Sequence, residues 1–129
     1  MADHDPLTAP IPGAERKTTG HVTRDIVRAG NGRICRTIYH PGFTWEKDMH
    51  PAVTPDLCMH AHVGFLARGH LEAHFPDGCR VDYVAPAVVY LEPGHKGSVV
   101  GDEEAVLIEV DFEGETAKRF GLPLVHEHK

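Results

Sequence analysis

The sequence predicts an all-β domain, a sandwich or barrel of about nine short strands, and among such folds a jelly roll fits the length. Three observations predict it. Short β-rich segments recur between turn signals spaced ~8–12 residues apart. The 129 residues include 13 glycines and 10 prolines, enough to punctuate many short elements. Only Glu115–Phe120 has a helical look, and Gly121 and Pro123 would stop it.

Taken in order, residues 1–20 carry Pro6, Pro10, Pro12 and Gly13 and few apolar positions, so they read as an extended arm, either a loose tail or a strand for a partner's sheet. His21–Arg28 and Arg33–Tyr39 flank Gly30-Asn31-Gly32, and Asn-Gly is a strong hairpin signal. Cys58–Arg68 is apolar enough for a buried strand and ends at Gly69. In His70–Phe75, Leu71, Ala73 and Phe75 alternate with His70, Glu72 and His74, which puts the polar three on a solvated outer face. Pro76-Asp77-Gly78 turns the chain into Arg80–Val84. Val88–Leu91 leads to the turn Glu92-Pro93-Gly94, and Gly97–Val100 follows. Ala105–Phe112 places Val106, Ile108, Val110 and Phe112 on one face and reads as a central strand. The expected division is an arm over 1–20, the β domain over 21–113 and a terminal segment over 114–129, with His126 and His128 in an exposed tail.

Composition excludes several classes of function. A chain that is 41% hydrophobic and 25% charged has the balance of an ordinary globular protein. Its formal charge of −6 argues against nucleic acid or an anionic membrane surface as partner. The longest apolar run, Val84 to Leu91, is far short of the ~20 residues that span a bilayer. Acidic residues stand where a secretory signal needs basic ones. Cys35, Cys58 and Cys79 form no CxxC and leave one unpaired, so neither a disulfide scaffold nor a zinc ribbon fits, and a cytoplasmic location is expected. The single serine, Ser98, sits in no nucleophile elbow. No phosphate-binding loop occurs, and Gly30-Asn31-Gly32 reaches Cys35 where a dinucleotide fingerprint wants Gly or Ala. What stands out is 11 histidines in so short a chain.

The informative stretch is PGFTWEKDMHPAVTPDLCMHAHVGFLARG, from Pro41 to Gly69. Asp48 and His50 are two apart, so on extended chain they face one way, and Cys58, His60 and His62 do likewise. In a closed sheet both sets can point inward. Neutral imidazole and carboxylate suit a divalent first-row ion, whether zinc, iron, manganese or nickel. Cys58 beside His60 and His62 also allows a cysteine nucleophile, although a buried free Cys is commonly just a small hydrophobe.

These residues carry a resemblance to the cupins, small jelly-roll proteins whose first motif reads G-x5-H-x-H-x3-4-E-x6-G. Gly42, Asp48-Met49-His50, His62 and Gly69 occupy its places, with Asp48 for the first His and His62 for the Glu. The longer linker from His50 to His62 implies an inserted loop carrying Pro51 and Pro55. In the second motif, G-x5-P-x-G-x2-H, Pro93-Gly94 hold the turn and Gly97 stands at the histidine's place, while His95 has the same strand parity. The resemblance covers roughly residues 33–113 and implies a double-stranded β-helix and a homodimer. It also implies a divalent metal held by His50, His60 and His62 with His95 or Asp48, in a small enzyme whose reaction (dioxygenase, isomerase, lyase or decarboxylase) stays open. Tyr90 or Glu109 would then act as acid or base if it faces inward. Trp45, Cys58, Phe65, Leu66, Tyr90 and Leu107 would line an apolar pocket for a compact organic acid, amino-acid derivative or sugar fragment. Lys47, Arg68 or Lys96 could hold its carboxylate. The alternative is a binding or sensor cupin with no essential metal, which the Gly97 substitution supports.

Overall fold

The computed structural model describes residues 5–49 and 60–124. His50, Cys58, the Pro51 and Pro55 loop, His126 and His128 lie outside the described residues. Among the described residues nine strands run in chain order: β1 (Glu15–Thr19), β2 (Val22–Ala29), β3 (Gly32–Tyr39), β4 (His62–Arg68), β5 (His70–His74), β6 (Arg80–Val84), β7 (Ala87–Leu91), β8 (Lys96–Val99) and β9 (Ala105–Asp111). A single π-helical turn, Trp45–Met49, follows β3, and the short helix α1, Thr116–Phe120, follows β9. Gly121 ends α1 in the left-handed conformation, the usual glycine stop. Among the described residues no helix is long and apolar enough to cross a membrane.

The strands form two antiparallel sheets, one ordered β1-β2-β3-β9-β4-β7 and one ordered β6-β5-β8. Their registers divide the large sheet into two faces. Arg36, Ile108, Phe65 and Val88 share one rung, and Cys35, Glu109, Gly64 and Val89 share the next. Side chains alternate between faces, so these rungs point opposite ways. Leu66, Val89, Leu91, Ala105 and Leu107 from the large sheet meet Ala73 and Phe75 from the small one in a single buried cluster. That cluster packs between the two sheets. The alternation expected of His70–Phe75 holds, because Ala73 and Phe75 are buried while His74 pairs with Glu72 at the surface. In β9 the inward set is Ala105, Leu107, Glu109 and Asp111, opposite in parity to the Val106–Phe112 stripe that the sequence makes prominent.

Within the segment read as an arm, Glu15–Thr19 forms β1. β1 pairs with β2 of its own chain. Before it, residues 5–9 lie against the outer face: Arg36 donates to the carbonyls of Pro6 (2.9 Å) and Ala9 (2.5 Å). Ile38 and Val106, on that same face, are buried as well. This explains why one strand can be apolar on both sides: Val106 packs outward and Leu107 inward.

Candidate functional site

Beside this cluster, where His62 is paired with Leu91, the inward side chains turn polar. Glu109 on β9 accepts a 2.6 Å hydrogen bond from His62 Nδ1 on β4. His62 lies 5.0 Å, ring centre to ring centre, from His95, which immediately precedes β8 of the small sheet. The two imidazoles therefore bring the two sheets together here. His95 is buried, packs edge-on against Phe75, and bonds the Glu92 carbonyl through Nδ1 at 2.9 Å. A carbonyl can only accept, so Nδ1 carries the proton and the neutral ring keeps its lone pair on Nε2. The Glu109 carboxylate fixes His62 the same way, an arrangement that orients ligating or proton-transferring histidines.

Behind this pair lies a second polar layer. Asp111 is bound by Arg33 Nε at 2.8 Å, by a second Arg33 nitrogen and by the Thr116 hydroxyl at 3.1 Å. Burial would raise its carboxyl, but the Arg33 bonds hold it below the usual range. Arg24 on β2 reaches inward, its Nη2 3.4 Å from Cys35 Sγ and 3.8 Å from Asp111 Oδ2. Burial pushes the Cys35 thiol up, which keeps it protonated and a poor nucleophile. α1 packs against β4 beside this layer.

The structure assembles some of the expected residues and separates others. His62, His95 and Glu109 come together. Asp48 does not join them: His21 Nδ1 (2.7 Å) and the amides of His21 (3.1 Å) and Thr44 (3.2 Å) take its oxygens. Burial alone would raise the Asp48 carboxyl, but those donors hold it low. Its oxygen lies so close to Gly20 that no Cβ fits there, so Asp48 fastens the β1–β2 turn. His60 is exposed just before β4. Tyr90, read as a pocket-lining residue and as an acid or base only if it faces inward, points outward and is 65% exposed, because Val89 and Leu91 take the inward positions of β7. Phe65 is likewise on the outer face, 45% exposed, rather than lining a pocket. Leu66 and Leu107 face inward but belong to the packed apolar cluster, and Trp45 is buried on the π-helical turn. Of the cations considered, Arg68 is held by Asp5 (2.8 Å) and Glu104 (3.0 Å), and Lys47 is exposed. Lys96 opens β8 and is half-buried. Arg24 and His21 were not singled out by sequence. Among the described residues no three His, Cys, Asp or Glu side chains form a group able to hold a metal ion.

No family model and no curated protein sequence matches the chain. Solved structures do. A cupin-2 domain from Rhodospirillum rubrum superposes with a TM-score of 0.58 at 18% identity, over 82% of this chain and 74% of that one. A cupin 2 conserved barrel domain protein from Salinispora arenicola gives 0.57 at 20% identity, over 88% and 93%. An oxalate decarboxylase gives 0.55 at 21% identity over 78% of this chain, but only 28% of its own length. The two antiparallel sheets superpose on these cupin domains over most of the length of each, and the chain shares their fold.

Proposed function

We propose that the chain is a small-molecule cupin whose site is the polar part of the barrel, with His62 and His95 supplying imidazole nitrogens to a divalent metal ion. The observation that carries this reading is the orientation of the pair: Glu109 and the Glu92 carbonyl each accept from an Nδ1–H, which leaves Nε2 as the ligating atom of each ring in its neutral form. Two neutral imidazoles from opposite sheets fit the nitrogen half of a first-row site. A metal bound there would polarise a substrate oxygen or activate water or dioxygen. The chain's own contribution is positional. Glu109 orients His62, and Phe75, a member of the apolar cluster, buttresses His95.

Metal analysis of untagged protein purified without chelator tests this. About one ion per chain is expected in the wild type, as for a single open site. His62→Ala and His95→Ala should lose most of it. His74→Ala should keep it, because His74 pairs with Glu72 on the outer face. Equal retention in all three variants sinks the assignment. A second reading, a binding cupin without essential metal, is favoured by the absence of a three-donor group among the described residues. A well-folded wild type that binds small organic molecules but holds no ion would establish it.

A further inference from the structure

Among the described arginines Arg24 is weakly held: its ion pair is a 3.8 Å approach to Asp111. Arg16 and Arg36 clamp Asp25, Arg33 clamps Asp111, Arg68 bridges Asp5 and Glu104, Arg80 bonds Glu72, Arg119 bonds Glu115, and exposed Arg28 lies near Glu113. Arg24 instead enters the barrel from β2, where its hydrogen-bond acceptor is the Cys35 sulfur. Sulfur is a weak acceptor, and a guanidinium offers five N–H donors in a planar fork. Arg24 Nε, like Arg36 Nε, is buried with no hydrogen-bond partner among the described residues. The two carboxylates nearest on the inner face are already engaged, Asp111 by Arg33 and Glu109 by His62. A buried, unsatisfied donor on a charged group costs about 1–3 kcal/mol or more, a cost that a ligand engaging the guanidinium would offset. The side chain is 34% exposed, so a ligand can reach it from solvent.

We propose that Arg24 is the anion-recognising residue of the barrel site and that the natural ligand is a short carboxylate. This rests on the small-molecule reading of the site given above. Arg24 lies beside Cys35, which is in register with Glu109, the partner of His62. A carboxylate received by the guanidinium fork is thereby held next to the imidazole pair. Arg fits this task better than Lys because its planar fork matches both carboxylate oxygens.

The test is calorimetric titration of the protein as purified, at fixed ionic strength in chloride, with acetate, oxalate, malonate, succinate and neutral malonamide. At least one carboxylate is expected to bind the wild type, with malonamide inert. Arg24→Gln should weaken that binding about ten- to hundredfold, the size of a charged hydrogen-bonded contact. Arg24→Lys, which keeps charge and loses the fork, should fall between; it carries the test alone if the Gln variant does not fold. Without ligand, the Gln variant should melt no lower than the wild type, whereas a purely structural Arg24 would lower the melting temperature and leave affinity unchanged. The proposal is overturned if no carboxylate binds, if malonamide binds as well as malonate, or if Arg24→Gln binds like the wild type. His62→Ala separates the two levels. If it loses metal while Arg24→Gln keeps carboxylate affinity, the site stands and Arg24's role falls. If Arg24→Gln loses affinity while His62→Ala keeps its metal, the metal assignment falls alone.

Discussion

Gly64→Ala is expected to cost roughly 3 kcal/mol or more, beyond the usual ~1–3 kcal/mol of a core overpacking. A Cβ at this position would overlap the Ile108 carbonyl oxygen and come within 2.8 Å of both Ile108 C and Glu109 Cα. These are backbone atoms of the neighbouring central strand, so no rotamer change can make room. A glycine inside a strand marks such a close approach. Either β4 separates from β9 or the register shifts, and a one-residue shift would turn His62 away from Glu109. Thermal melting should show a fall on the order of 10 °C or more. Any variant that still folds should lose the affinities of the barrel site as well as stability. A Gly64→Ala protein that melts with the wild type would mean that β4 and β9 are not this close in solution.

How far the sequence disclosed this arrangement depends on whether a segment alternates. In His70–Phe75 apolar and polar residues alternate, and the inner and outer faces follow directly. In Ala87–Leu91 and in Val63–Ala67 both faces are apolar, so parity gives no direction, and Tyr90 and Phe65 were assigned inward against their true positions. His62 was legible from its distance to Gly69, and His95 from the Pro93-Gly94 turn before it. Glu109 was noted, but the stripe Val106, Ile108, Val110 drew attention to the wrong face of β9. Those residues pack outward, and residues 5–9 cover part of that face, where Val106 lies buried. Contacts between a proline-containing segment and an arginine about thirty residues away leave no local periodic signal. Arg24 was missed for a related reason. On β2, Thr23, Arg24 and Asp25 are consecutive polar residues and look like a solvated stretch, yet Asp25 is buried beneath the N-terminal segment and Arg24 reaches into the barrel.

Asp25→Ala should destabilise the fold by about 3–5 kcal/mol, the range for removing one partner of a buried ion pair. Asp25 is 1% exposed and accepts from Arg16 Nε (2.7 Å), Arg16 Nη2 (3.0 Å) and Arg36 Nη2 (2.7 Å). Arg36 is itself buried, and its other bonds hold the Pro6 and Ala9 carbonyls. Without the carboxylate its charge stays in a low-dielectric setting, and Arg36 Nε already lacks a partner there. The relief is for Arg36 to swing into water, which releases the Pro6 and Ala9 carbonyls it holds. Limited proteolysis should therefore cut the variant near its N-terminus well before the wild type. In an Arg36→Met background the same Asp25→Ala change should cost much less, because no buried charge is left stranded. The pH dependence has a definite sign. The Arg16 hydrogen bond, with that of Arg36, holds the Asp25 carboxyl below its ordinary value against the opposing effect of burial. The unfolded chain therefore binds the proton more readily, so this stabilisation is complete above the unfolded carboxyl pKa of ~3.9 and is lost as pH falls through it towards the folded value. Denaturant titrations at neutral pH and at acid pH should show the wild-type advantage over Asp25→Ala shrinking on acidification. An advantage that is constant across that range would show that the Arg16–Asp25–Arg36 bonds do not hold the segment in place.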